Sequence, residues 1–157
     1  MPQIKHQKKK INDRNNILLE FPRAYFDGAA QNGICAYSVY ITMNEHQDFN
    51  IFWNGGEGTN NKAEAMALSG LLYFNSFLNI PVLHIYGDSK IIIDHVLGKS
   101  SIKNQLLLGL MKRIEFFWKT QKDYSIQHVD RSKNGEVDSL SKKRPISIVG
   151  YMVHGYP

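Results

Sequence analysis

The chain has a single cysteine, Cys35, among 157 residues, which excludes an internal disulfide and any metal site built on paired cysteines. No apolar run reaches the 18 residues of a membrane-spanning helix, and the N-terminus is polar, so neither a span nor a secretory signal is expected. An intracellular compartment, cytoplasmic or nuclear, fits both absences, and no membrane partner is expected. Internal repeats are lacking, as is low-complexity sequence beyond one lysine cluster, which excludes a repeat architecture.

What is present is the composition of a globular domain. At 43% hydrophobic and 11% aromatic content, 157 residues suffice for one domain with a full core. The net charge of +5 is unevenly placed. Residues 1–20 carry five Lys/Arg against Asp13 and Glu20, whereas residues 21–143 carry thirteen basic and twelve acidic groups. The basicity is therefore mostly a tail, densest at "KHQKKK" (Lys5 to Lys10), with few apolar residues to bury. Residues 1–20 are read as a mobile basic tail, 21–143 as the domain and 144–157 as a second tail. A solubilising role and a nucleic-acid or nuclear-import role for the lysines both remain open.

Along the body, "RAYFDGAA" (Arg23 to Ala30) reads as a short strand with Asp27-Gly28 as its turn signal. "GICAYSVYIT" (Gly33 to Thr42) and "DFNIFWN" (Asp48 to Asn54) alternate in the manner of strands, so the three form an antiparallel meander. The period then changes: in "NNKAEAMALSGLLYFNSFL" Ala63, Met66, Ala67, Gly70, Leu71, Phe74 and Leu78 recur at three and four residues, the mark of an amphipathic helix. "VLHIY" (Val82 to Tyr86) is a fourth strand, broken by Gly87, and a helix follows over "KIIIDHVLG" to Gly98. A longer helix is expected from about Ser101 to Thr120, burying Leu106, Leu107, Leu110, Met111, Ile114, Phe117 and Trp118. "YSIQHV" (Tyr124 to Val129) is a fifth strand and "NGEVDSLSKK" (Asn134 to Lys143) a last short helix. This order, with helices as crossovers into the later strands, implies an α/β fold with a mixed sheet covered by helices.

Asp88, between the fourth strand and its helix, has an ordinary explanation as an N-cap, and Ser89 could cap equally well. Asp27 could be a turn aspartate, Glu64 an acid favoured near a helix N-terminus, and Asp138 a solvated helix residue. Taken together, however, four elements deliver four carboxylates to one sheet end. Such a group would repel itself and raise its own pKa values unless cations neutralise it, and oxygen ligands of this kind favour Mg²⁺ or Mn²⁺. Asp94 lies about 240° round the helix from Asp88 and is expected to face solvent or pair with a lysine.

With these residues in place, "YFDGAA", "TNNKAEAMAL", "IYGDSKIIIDHVLGK" and "HVDRSKNGEVDSLSK" resemble, in order and spacing, the four sequence blocks of the ribonuclease H type 1 family. The resemblance spans about residues 22–143 and is greatest to the ribonuclease H domains of plant-type non-LTR retroelements, or retrotransposons, and their archaeal-like relatives. It implies the ribonuclease H-like fold, a five-stranded mixed sheet of order 3-2-1-4-5 flanked by helices. It also implies a metal-binding acidic tetrad of Asp27, Glu64, Asp88 and Asp138 and a mobile catalytic histidine at His128. The implied reaction is endonucleolytic hydrolysis of the RNA strand of an RNA–DNA hybrid with two Mg²⁺ ions, Mn²⁺ being an alternative. Asp27 would bridge both ions, Asp138 would help hold the water-side ion, and Glu64 and Asp88 the leaving-group side. His128 would assist proton transfer or product release.

For substrate binding the resemblance points to Gly28, to the polar pair Asn60 and Asn61 across the hybrid's minor groove, and to Thr59 and Asn104 in a pocket for a DNA phosphate. The third pocket position, usually basic in cellular enzymes, is Glu57 here. Only "KSS" stands between Gly98 and the long helix, where many cellular enzymes insert a basic, tryptophan-bearing protrusion that grips DNA. Weaker intrinsic hybrid binding follows, with a reverse transcriptase as one source of compensation and the lysine tail as another. A monomer is expected. Two further readings stand beside this one: a strand-transfer enzyme of the same superfold, such as an integrase, against which the "AEAMAL" and "DSK" blocks argue, and a catalytically silent nucleic-acid-binding module derived from a retroelement.

Overall fold

The structure, a computed structural model, describes residues 21–130 except residue 122. Five strands form one sheet: β1 (Arg23–Gln31), β2 (Ile34–Asn44), β3 (Gln47–Glu57), β4 (Val82–Gly87) and β5 (Asp123–His128). Three helices accompany them: α1 (Asn60–Leu78), α2 (Lys90–Val96) and α3 (Gln105–Lys119). The strand order is β3-β2-β1-β4-β5, with β1, β2 and β3 antiparallel and β4 parallel to both β1 and β5. This is the ribonuclease H-like order expected from the sequence. The short helix expected at Asn134 to Lys143 lies outside the described residues.

The first turn is not where the Asp27-Gly28 pair suggested. β1 continues through both residues to Gln31, and the chain reverses at Asn32 and Gly33, whose φ values are 54° and 78°. A two-residue hairpin loop with φ positive at both positions matches the right-handed twist of its strands, and Asn-Gly is the pair best able to adopt it. Asp27 is thus held rigidly within a paired strand rather than at a mobile tip.

One sheet face is apolar and takes the helices. Ala24 and Phe26 of β1, Val39 and Ile41 of β2, Ile51 of β3, and Leu83 and Ile85 of β4 are fully buried there. They pack with Leu68, Leu71 and Leu72 of α1, Ile92 and Ile93 of α2, and Met111 and Ile114 of α3. The buried side of α1 is wider than the expected stripe and includes Ala65, Leu68 and Leu72, while Leu78 at its end is exposed. Glycine brings α1 close: a Cβ on Gly28 would lie 2.2 Å from the carbonyl oxygen of Ala63, so only glycine lets the helix start against β1.

α3 begins four residues later than expected, at Gln105, because Asn104 caps it by accepting a hydrogen bond from the Leu106 amide at 2.8 Å. Leu106 then falls on the solvent side, 88% exposed, which corrects its expected place in the core. His95, at the end of α2, secures the α2–α3 connection. Its Nδ1 accepts the Ile102 N–H at 3.0 Å, which leaves the proton on Nε2 to donate to the Glu115 carboxylate at 3.2 Å. Among the described residues no helix is long and apolar enough to cross a membrane.

Candidate metal centre

Strand register places the first two acids. Tyr25 and Tyr86 are the last paired residues of parallel β1 and β4. Asp27 and Asp88 each stand two residues further on, so they arrive level with one another where the two strands part. Glu64 comes from the first turn of α1, immediately after Ala63, at the point where the helix meets Gly28. Its Oε1 accepts the Gly28 N–H at 2.9 Å, a donor that β4 no longer pairs. One ligand oxygen from each of Asp27, Glu64 and Asp88 lies within 4.8 Å of the others.

Such closeness has an electrostatic cost, and Glu64 bears it. Burial first, then the charges of Asp27 and Asp88 and a hydrogen bond to Asp88, push its carboxyl up to about 9, against which the Gly28 N–H acts only weakly. At neutral pH Glu64 therefore holds a proton that lets two carboxyl groups share a hydrogen bond. A divalent cation would do the same task by charge. The donor set is all oxygen, which suits hard cations, and the three groups converge from three rigid elements, so the residues fit a metal site.

The capping explanation for Asp88 fails, because Ser89 occupies the N-cap position of α2 and its side chain makes no capping hydrogen bond. Asp94 pairs with Lys90 at 2.6 Å, the lysine alternative of its two expectations, and that hydrogen bond holds its carboxyl below the usual range. His128 closes β5 opposite Gly87, one strand over from Asp88. It is half-buried. Asp138 lies outside the described residues.

The expected substrate residues divide by what already engages them. Thr59 caps α1, its Oγ1 accepting the Lys62 N–H at 3.2 Å, and Asn104 caps α3 as described. Asn60 Oδ1 accepts the Ala30 N–H at 2.7 Å, tying the start of α1 to β1 and leaving its NH₂ to donate elsewhere. Asn61 is exposed. Gly28 gives its amide to Glu64 and its open α-carbon to α1, which makes it a positioning residue for the acids. Lys62 escaped the sequence reading: its Nζ donates to the Glu57 carbonyl at 2.6 Å, setting a cation beside the position where Glu57 replaced the usual basic residue. It stands within the block "TNNKAEAMAL", but the block gives it no role, since the cation reaches that place only by folding back along the helix start.

The profile of the reverse transcriptase-like family matches residues 26–144. Among solved structures the chain is similar to ribonuclease H1 from the halophilic archaeon Halobacterium salinarum NRC-1, at 25% identity over 76% of this chain and 92% of that one, with a TM-score of 0.64. It is similar to LC11 ribonuclease H1, obtained from compost by a metagenomic approach and solved with an RNA/DNA hybrid, at 25% identity, 75% and 91% coverage and a TM-score of 0.58. The N-terminal ribonuclease H domain of a Mycobacterium tuberculosis protein shares the fold at 21% identity, 77% and 91% coverage and a TM-score of 0.63. No curated protein matches.

Proposed function

The chain belongs to the reverse transcriptase-like family, on a match spanning residues 26–144, and on that footing we propose that it is a ribonuclease H, an endonuclease that hydrolyses the RNA strand of RNA–DNA hybrids using two divalent cations, Mg²⁺ or Mn²⁺. The observation that carries the reading is the convergence of Asp27, Glu64 and Asp88 within 4.8 Å. Similarity to a ribonuclease H1 solved with an RNA/DNA hybrid supports the substrate class. Similarity to an archaeal ribonuclease H1 supports the archaeal-like character, and the match to the reverse transcriptase-like family supports an origin in a retroelement with a reverse transcriptase as partner.

Bound cations would supply Lewis-acid stabilisation of the phosphate and a water acidic enough to attack at neutral pH. The chain's own part begins with Glu64, which would have to give up its proton to hold a cation, whose charge would take the proton's place while the Gly28 N–H keeps donating to the carboxylate. Asp27 and Asp88, fixed by strand register, hold the ligand oxygens without side-chain search, and Asp138 is the fourth ligand. His128 moves protons at the edge of the centre. Asn60 and Asn61, at the start of α1 where Asn60 is tied to Ala30 of β1, donate into the hybrid's minor groove, where the 2′-hydroxyl distinguishes RNA. Thr59, Asn104 and the Lys62 ammonium face a DNA phosphate. The chain acts as a monomer, and residues 21–143 form its catalytic domain.

The test is incubation of purified protein with end-labelled RNA–DNA hybrid, RNA–RNA and DNA–DNA duplexes in Mg²⁺, Mn²⁺ or EDTA. Cleavage confined to the RNA strand of the hybrid and abolished by EDTA is expected. Hybrid left intact in both metals would make the chain a silent binding module, and cleavage of DNA–DNA would make it a different nuclease.

A further inference from the structure

The outer face of α3 is not the usual mixed-charge surface of a solvated helix. Lys112, Arg113 and Lys119 stand four and three residues before and three after Phe116, so all three are its neighbours on the helix surface. Phe116 is 65% exposed, the three cations are exposed, and none of them takes part in the ion pairs among the described residues. The single acid of α3, Glu115, turns its carboxylate to His95. One exposed ring is therefore flanked by three exposed cations that no acid among the described residues pairs.

Two further features of the same face call for an explanation. Gly109, two turns before Phe116, meets nothing within 4 Å of where its Cβ would be. A glycine in a helix interior costs about 1 kcal/mol relative to alanine, and no packing within the chain requires this one. It leaves a shallow, bare stretch of helix backbone between exposed Leu106 and Phe116. Beside Phe116, the aromatic surface continues through Phe117 at 5.5 Å and Tyr73 at 6.0 Å to Phe77 at 5.2 Å, the last 57% exposed.

Exposed rings interleaved with cations suit a ligand that offers flat π-faces joined by phosphates. A second copy of the chain would bring three cations against three and is disfavoured by charge. We propose that this face of α3, centred on Phe116, binds single-stranded nucleic acid by base stacking on the ring with phosphates on Lys112, Arg113 and Lys119. It is separate from the acid centre, since α3 runs from the Asn104 end of the site toward the start of β5. The idea deepens the ribonuclease H reading, because hydrolysis of one strand of a hybrid leaves the other single, but the binding itself needs neither metal nor cleavage.

The test is fluorescence anisotropy of the full chain with labelled oligo-dT in EDTA over a salt series, comparing wild type, Phe116→Ala and the triple variant Lys112→Gln/Arg113→Gln/Lys119→Gln. Because these side chains are exposed, the variants should keep the wild-type melting temperature. Phe116→Ala should weaken binding about tenfold, and the triple variant should flatten the slope of log affinity against log salt by about 2. The same variants should cleave hybrid normally at saturating substrate. Unchanged affinity and slope would overturn the proposal, as would concentration-dependent self-association of the wild type lost in Phe116→Ala, which would make the face a protein interface. A wild type that binds oligo-dT through Phe116 yet leaves hybrid uncut would overturn only the enzymatic reading.

Discussion

Burial and two neighbouring carboxylates keep Glu64 protonated up to about pH 9. Its folded pKa stands above the ordinary 4.5, so between these values the folded state holds a proton that the unfolded state has lost, and stability falls as pH rises through that window. Metal-free protein should therefore melt progressively lower from about pH 5 to pH 9. Glu64→Gln should remove most of this slope and melt higher than wild type at pH 8, as scanning calorimetry in EDTA would register. Cation binding competes with the same proton, so Mg²⁺ affinity should climb with pH below about 9; a Glu64→Gln variant with the wild-type pH slope would contradict the assignment. His128, at a strand end outside the group of three ligand oxygens, should matter less. His128→Ala should lower turnover by about 100-fold or less, with the metal midpoint unmoved, as expected of a proton-transfer group. Complete loss together with a weakened midpoint would make it a ligand.

Elements were legible where one period ran unbroken. The start and end of α1 at Asn60 and Leu78 and the extent of β4 were plain from the spacing of apolar residues and from Pro81 between them. The first turn was not, because Asp27-Gly28 and Asn32-Gly33 are both turn pairs, and only the pairing of β1 with β2 through Gln31 decides between them. The start of α3 was missed for a similar reason, since apolar Ile102 and Leu106 extend the helical period past a cap that Asn104 imposes. Three of the four acids meet as expected, while the fourth, Asp138, lies beyond the described residues. Lys62 and the His95 clasp could not be seen in advance, since each depends on where a side chain folds across elements. Gly28 shows how closely the elements are bound to the site: Gly28→Ala would drive a methyl into the Ala63 carbonyl and push α1, with Glu64, away from Asp27. Destabilisation of about 1–3 kcal/mol is expected from such overpacking, read by urea unfolding, with metal affinity weakened as well. An alanine variant that melts and binds metal like wild type would show that α1 is free to shift.

At the scale of the whole molecule, charge decides how substrate is held. Residues 21–143 carry thirteen basic and twelve acidic groups, and neutralising the four proposed ligands with cations leaves thirteen basic groups against eight acids. Hybrid binding should then be metal-dependent and modest without the tail, in keeping with the missing basic protrusion. Deleting residues 1–12 removes Lys5, Lys8, Lys9 and Lys10 and should flatten the salt dependence of hybrid affinity by a slope of up to about 4, while cleavage at saturating substrate persists. An unchanged slope would show that the tail does not touch the hybrid. The central claim, that the sheet-end carboxylates hold catalytic cations, is met most directly by one comparison: cleavage of end-labelled RNA–DNA hybrid in Mg²⁺ by wild type and by Asp88→Asn. Asparagine would serve almost as well as aspartate in a helix cap but removes the charge a cation requires. The wild type should cut the RNA strand and Asp88→Asn, folded and melting at an equal or higher temperature in EDTA, should not; cleavage by Asp88→Asn at the wild-type rate would contradict the account.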